Sequence, residues 1–324
     1  MTALLLPPFT ARPYADETDL PAIVELINAC NAIDQLDQVV TVTELQNALD
    51  DPEHDLDLEL RLWTDAKGRL IGYSRLCLLP ATATAQDGFL TMKVHPEARN
   101  QGIENQILAW AEATLRDVGR SRSLPLYLRT GARDSQTEQR TWLEQHGFSV
   151  ARCFYRMARS LADPIPKPQF PAGFTVRSVQ LEDVPAWVEM FNQTFIDHWN
   201  HHPMTVERRQ QWLTHPTYNP ELDQVAIAPN GTFAALCLSL IDPADNRWTG
   251  RQEGWIGDLG TRRGFRRLGL GRAMLLTGMH QLKANGMDTA LLGVDSQNPS
   301  GALKLYESEG FQRRWSNFAY CKAL

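Results

Sequence analysis

The chain has 324 residues, 43% of them hydrophobic, and a formal net charge of −6; that length suggests two domains with two apolar cores, and the negative balance argues against a general nucleic-acid or anionic-membrane binder. Five cysteines, at 30, 77, 153, 237 and 321, show no CxxC spacing and an odd count, which argues for reduced thiols in a cytoplasm and against a zinc site or disulfide frame. No window approaches a transmembrane span.

Residues 1–10 read as a loose leader, because the apolar run from Leu4 to Pro8 is too short and uncharged for a signal peptide. A strand-like entry at Arg12 and a capped start by Asp19 lead to a helix over 20–31, with Leu20, Ile23, Val24 and Ile27 on one face. Residues 56–63 alternate apolar and polar, the pattern of a half-buried strand. Lys67-Gly68 turns the chain, and strands follow over 70–79 and 89–94. A loop through Arg99 and Gly102 opens a helix to about Asp117, then come a strand over 124–129, a helix over 139–146 and Gly147-Phe148 before a final strand pair. Four prolines within 160–171 mark a stiff linker.

After the linker the same order begins again. A strand holds Arg177, helices occupy 182–195 and the neighbourhood of 205–213, and strands over 225–228 and 234–240 flank a Pro229-Asn230-Gly231 turn. Arg177 lies 165 positions after Arg12, Gly269 lies 167 after Gly102, and Gly310 lies 163 after Gly147. Near-constant offsets indicate two copies of one α/β domain. The expected boundaries are 1–160 for the first copy, 161–171 for the linker and 172–324 for the second copy.

The stretch 254–272 of the second copy carries the chemistry. A strand ends at Thr261, a basic turn follows, and Arg266-x-x-Gly269-x-Gly271 leads into a helix with Ala273, Met274, Leu275, Met279 and Leu282 at helical intervals. Strand, glycine loop and helix start together suit a phosphate: glycines let backbone N–H groups approach, the helix N-terminus adds a positive dipole end, and arginines add full charges. Downstream, Asn298 is followed by Leu305-Tyr306-Glu307 and Gly310-Phe311.

This loop resembles the (Q/R)xxGx(G/A) motif of the GNAT acetyltransferases, and the segment 298–311 is similar to their "N…A…LYEKLGF" segment. The resemblance implies an α/β (α+β mixed-sheet) fold class with two tandem acyl-CoA N-acyltransferase folds, acetyl-CoA as donor and CoA as product. It implies that Arg266, Arg267, Leu268, Gly269, Leu270, Gly271 and Arg272 hold the phosphates. Backbone groups of Leu259, Gly260 and Thr261 would lie along the pantetheine arm in a slot between two splayed strands, where a backbone N–H would meet the acyl carbonyl. Asn298 would bond the cofactor or cap the following helix. Tyr306 would protonate the departing thiolate.

The general base is less plain. Strict alternation puts Glu253, Trp255, Gly257, Leu259 and Thr261 on one face and Asp258 on the other. Relatives carry a Glu where this chain has Trp255, so Glu253 and Asp258 are the nearest candidate carboxylates. Phe195-Ile196-Asp197-His198-Trp199 is similar to the tandem acetyltransferases related to mycothiol synthase, which implies that Asp197, His198 and Trp199 wall the site of a small-molecule amine. A metal reading through His198, His201 and His202 lacks tight ligand spacing, and no metal is expected.

The copies differ where chemistry would sit. Glu104 stands in place of the second glycine, where it would repel a pyrophosphate, and Leu143 stands in place of Tyr306. The first copy is therefore expected to be structural. The expected activity is acetyl transfer to a primary amine in the second copy, by a cytoplasmic monomer or homodimer without nucleic-acid or membrane partners. The alternatives are a non-catalytic CoA-binding or sensing protein and a transferase using a longer acyl-CoA.

Overall fold

The computed structural model describes residues 9–50, 54–79, 81–82, 84–120, 124–199, 202–215, 217–298 and 300–324. Leu4 to Pro8, His201 and Pro299 lie outside the described residues. The first copy runs β1 (Phe9–Pro13), α1 (Leu20–Ile33), α2 (Val42–Leu49), α3 (Leu56–Glu59), β2 (Leu60–Asp65), β3 (Leu70–Leu78), β4 (Gln86–Val94), α4 (Ile103–Gly119), β5 (Leu126–Arg133), α5 (Thr137–Gln145) and β6 (Ser149–Ser160). The second runs β7 (Thr175–Ser178), α6 (Val184–Phe195), α7 (Val206–Trp212), β8 (Asp223–Ile227), β9 (Phe233–Leu240), α8 (Pro243–Thr249), β10 (Glu253–Thr261), α9 (Leu270–Ala284), β11 (Thr289–Asp295), α10 (Ala302–Ser308) and β12 (Gln312–Ala323).

The chain divides into two compact units, one of Met1–Arg152 with Asn317–Leu324 and the other of Cys153–Ser316. The division expected at residue 160 thus falls at Arg152/Cys153, and the last eight residues belong with the first unit. Pairing explains why. From Phe154 to Ser160, β6 runs antiparallel to β11 within the second unit. Residues 317–323 of β12 run antiparallel to β5 within the first. The expected strand pair after Gly147-Phe148 is therefore one long strand whose second half pairs with the other copy's β11.

In the first unit the sheet order is β1-β2-β3-β4-β5-β12, antiparallel except for the parallel pair β4–β5. In the second it is β6-β11-β10-β9-β8-β7, again with one parallel pair, β10–β11. Helix α9 covers one face of the second sheet through Met274, Leu275, Leu276, Met279 and Leu282 against Cys237, Ile256, Ala290 and Leu292. Helix α6 covers the other face through Trp187, Val188 and Met190 against Val225 and Leu236.

The repeat extends to single hydrogen bonds. Asn28 in α1 donates from Nδ2 to the Val40 carbonyl and accepts from the Val40 N–H, both at 2.8 Å. Asn192 in α6 does the same with Met204, at 2.9 and 2.7 Å. Arg12 grips Asp19, as Arg177 grips Asp183. Residues 56–59 form a short helix before β2, although their alternation reads as strand. The Asp55 carboxylate accepts from the Asp57 and Leu58 N–H groups and starts that turn. Helix α2 escapes the periodicity reading, yet its capping box of Thr41 and Glu44 is a sequence-level signature.

Candidate active site

Strand β10 keeps β9 as a partner from Trp255 onward but loses β11 part-way along its length. Its first residues, Glu253 to Ile256, pair in parallel with Thr289 to Leu292 of β11. Asp258 to Thr261 pair with β9 and not with β11, although β11 continues to Asp295. The two strands therefore splay from Gly257, leaving one edge of Leu259, Gly260 and Thr261 without a strand partner. Ile256 faces Ser239 and Asp258 faces Leu238, so Gly257 is an extra residue in the ladder, a β-bulge.

The bulge reverses the expected alternation. A Cβ on Gly254 would meet Leu282 and Met287 on the α9 side, whereas one on Gly260 would meet Thr194 and Phe195 on the α6 side. Trp255 and Asp258 thus share the α6 face, where strict alternation separates them. Leu259 turns to the α9 side with the core there.

The loop after β10 is built for an anion. Arg267 has φ +65° and Gly269 +84°, conformations that aim successive N–H groups to one side. Among the described residues, the N–H groups of Arg267 through Arg272 meet no protein acceptor; the first helical bond of α9 is Ala273 N–H to the Gly269 carbonyl, 3.0 Å. Gly271 lies close to β10, since a Cβ there would sit 3.5 Å from Thr261 Oγ1.

Most of the loop arginines are already engaged. Arg266 donates to the carbonyls of Thr261 at 3.2 Å and Thr194 at 3.1 Å and pairs with Asp197 at 3.3 Å. Arg272 pairs with Glu309, Arg262 with Glu189, and Arg263 with Asp197. Arg267 alone of the five has no ion-pair or hydrogen-bond partner among the described residues. Its guanidinium is uncommitted among the described residues, whereas Arg266 and Arg272 tie the loop to Thr194, Thr261, Asp197 and Glu309. Leu268 is half exposed, and Leu270 is buried beneath the loop.

Tyr306 of α10 is buried, its ring edge-on to Phe311 at 6.1 Å. Burial first, then the neighbouring Cys237, pushes its phenol well above its ordinary pKa, and the hydroxyl has no hydrogen-bond partner among the described residues. Asp258 is half-buried. Dehydration of its carboxyl, then the charge of Asp223, raises its pKa to about 6, with Arg209 opposing. Asp223 lies in the same cross-strand row, both acids facing Leu238. It is bonded to the fully buried Arg209, which stacks on Trp187 at 3.8 Å, and accepts from Tyr218 Oη at 3.1 Å.

Three sequence expectations land elsewhere. Glu253 stands at the far end of β10 from the loop, paired with Arg314 and with Arg251 at 3.3 Å, too distant and too committed to take a proton at the splay. Asn298 uses its Oδ1 to accept from the Ser300 N–H at 2.8 Å; it shapes the turn before α10. Asp197, His198 and Trp199 do not converge. Asp197 bridges Arg263 and Arg266 on the loop side, and those arginines hold its carboxyl below its ordinary pKa. Trp199 instead meets Phe154 of β6 at 6.0 Å, and His198 lies edge-on to Phe195, exposed.

Two residues on this face went unforeseen, Phe154 and Arg156. Both sit on β6, which the sequence assigns to the other copy.

In the first unit β4 and β5 also part after Phe89, and a cavity of about 560 Å³ opens there between Lys93, Thr130 and Trp142. Its loop carries an acid where the second unit has Gly271. Asn100 and Gly102 repeat the positive φ of Arg267 and Gly269, but the Glu104 carboxylate accepts from the Asn100 N–H at 3.0 Å. The side chain thus occupies the N–H at the position of Arg267, a donor that stays open in the second unit. Leu143, at the position of Tyr306, is buried core.

A model of the acetyltransferase (GNAT) family matches residues 184–311, within the second unit. A mycothiol acetyltransferase from Thermobispora bispora is 30% identical over 68% of this chain and 71% of its own. One from Geodermatophilus obscurus is 26% identical over 95% and 96%. The crystal structure of a GCN5-related N-acetyltransferase from Sphaerobacter thermophilus superposes with a TM-score of 0.72 at 26% identity, covering 98% of this chain and 96% of that one. A tandem GNAT protein of the clavulanic acid biosynthesis pathway, 15% identical with a TM-score of 0.71 over 97% and 98% of the chains, shares the fold. No described helix is long and apolar enough to cross a membrane. A splayed β10–β11 pair, an open anion loop at the start of α9 and a full-length tandem match agree: the chain belongs to the GNAT acetyltransferases, acetyl-CoA-dependent N-acetyltransferases, and to their tandem type related to the mycothiol acetyltransferases.

Proposed function

We propose that the second unit transfers an acetyl group from acetyl-CoA to the primary amine of a small molecule by direct attack, and that the first unit is non-catalytic. One observation carries this reading. A carboxyl with a pKa of about 6, Asp258, stands at the splay of β10 and β11 on the α6 face, while a protonated phenol, Tyr306, lies in the core on the α9 face. Acetyl-CoA supplies the activated acyl group as a thioester. Arg267 and the N–H groups of residues 267–272 hold its pyrophosphate, and the open edge of Leu259, Gly260 and Thr261 lines its arm. Asp258, deprotonated at neutral pH, takes the proton of the incoming amine directly or through water; a base with a pKa near the working pH is the efficient choice. Tyr306 stays protonated throughout the neutral range and gives its proton to the departing thiolate.

Glu104 and Leu143 support a structural role for the first unit, which lacks both the open loop and the hydroxyl. The names of the relatives suggest an acceptor connected with mycothiol; for this chain we take only the class, a small-molecule amine. The test is thiol release from acetyl-CoA across a panel of small amines. Amine-dependent release that falls in Asp258→Asn and Tyr306→Phe is expected. CoA binding without release for any amine would make the protein a binding module.

A further inference from the structure

Arg156 is a half-buried cation that no carboxylate pairs with among the described residues. It lies on β6 opposite Gly293 of β11, within the second unit. A Cβ on Gly293 would come within 2.3 Å of Arg156 Nη1, so the guanidinium lies flat across β11 in the space that this glycine leaves. It reaches the ring of Trp255 on β10, 5.3 Å from the centroid. Among the described residues no acid pairs with it and no acceptor bonds it. Burial lowers its pKa with no carboxylate near enough to offset the loss.

The place matters as much as the charge. Ala290, Leu292 and Val294 of β11 point into the α9 core, so Gly293 and its partner Arg156 belong to the opposite face, the face of Trp255 and Asp258. Gly257 and Gly293 are both exposed and flank the point where the strands part. The guanidinium thus lies across β11 at the level where β10 begins to part from it, on the same face as the bulge that carries Asp258. A planar, five-donor cation facing an open slot matches a carboxylate or phosphate, and half-burial of an unpaired cation is costly until such a group arrives.

We infer that the acceptor amine carries an oxyanion, a carboxylate or a phosphate, a few atoms from its nitrogen, and that Arg156 binds it while Asp258 faces the amine. This rests on the acetyl-transfer reading of the same slot. The test pairs acceptors that differ in the anion alone: β-alanine against β-alaninamide, and ethanolamine phosphate against ethanolamine. The wild type should favour an anionic member by at least about tenfold in kcat/KM, the order expected for a hydrogen bond to a charged group, and the favoured pair identifies the anion. Arg156→Gln should erase that preference and leave the KM for acetyl-CoA unchanged. Arg156→Lys, which keeps the charge and loses the fork, should retain part of it. Equal rates within both pairs, or a preference that survives Arg156→Gln, would overturn the inference. If no amine is acetylated, calorimetry of the CoA-saturated protein with N-acetyl-β-alanine and with inorganic phosphate separates the two claims. Binding that Arg156→Gln abolishes keeps the anion site and sinks the transfer reading, and no binding to the wild type sinks the anion site. Matching melting temperatures of wild type and variants exclude misfolding as the cause.

Discussion

Ile256 and Asp258, two residues apart on β10, face consecutive residues of β9, Ser239 and Leu238, and so point to opposite sides of the sheet. In a regular strand residues two apart share a face. The extra residue at Gly257 sends Ile256 into the α9 core and Asp258 to the α6 face, and at the same point β10 leaves β11. One bulge thereby marks where the strands part and turns the candidate base to the α6 face.

Asp258 makes activity and stability depend on pH in opposite ways. The deprotonated form is the base, so kcat/KM should fall as pH drops below about 6. Asp258→Asn should lose roughly 10²–10⁴-fold in kcat, the range for a positioned base, and should lose the acidic limb of the profile. The folded-state pKa is raised above the ordinary value of 3.8. The folded state therefore favours the protonated acid, a preference fully present below pH 3.8 and lost as pH rises through about 6. Asp258→Asn should melt higher than wild type at pH 8 and level with it at pH 3.5. A variant no more stable at pH 8 would place the carboxyl in water.

Tyr306→Phe tests the leaving-group acid. It should lower kcat by roughly 10²–10⁴-fold while CoA affinity stays within a few-fold, because the ring and its contact with Phe311 remain. An unchanged kcat at saturating substrates would assign Tyr306 to packing alone.

The loop arginines should separate by partner. Arg267, free among the described residues, should weaken CoA binding roughly 10- to 150-fold on change to Ala, the value of a charged hydrogen bond. Arg272 is paired with Glu309 at 2.5 Å, so Arg272→Ala should show mainly in the melting temperature. Equilibrium binding of CoA and thermal melting of both variants check this; equal losses of affinity would refute the division of roles.

Much of this was legible in the sequence. The glycine loop before a helix is plain at 266–272, and the matched offsets expose the repeat. The bulge was not legible, because a glycine at 257 suits a regular strand as well as an extra residue. The exchange of strands was not legible either. β6 follows Gly147-Phe148 as β12 follows Gly310-Phe311, and nothing local shows that Phe154 and Arg156 pair with Asp295 and Gly293. Arg156 was missed for that reason, since it stands in the wrong copy by sequence. The partners of Asp197 were not legible either, because only the folded loop brings Arg263 and Arg266 to it.

The central claim is that one loop of two, the one at Gly269 and Gly271, feeds one catalytic slot. Gly271→Glu places in the second unit the carboxylate that Glu104 supplies in the first, at a position whose Cβ has ordinary room. The direct test is the mass of the acceptor after reaction with acetyl-CoA, for wild type, Gly271→Glu and Glu104→Gln. The account predicts a singly N-acetylated amine with wild type and with Glu104→Gln, and none with Gly271→Glu. Acetylated amine from folded Gly271→Glu at the wild-type rate would contradict it.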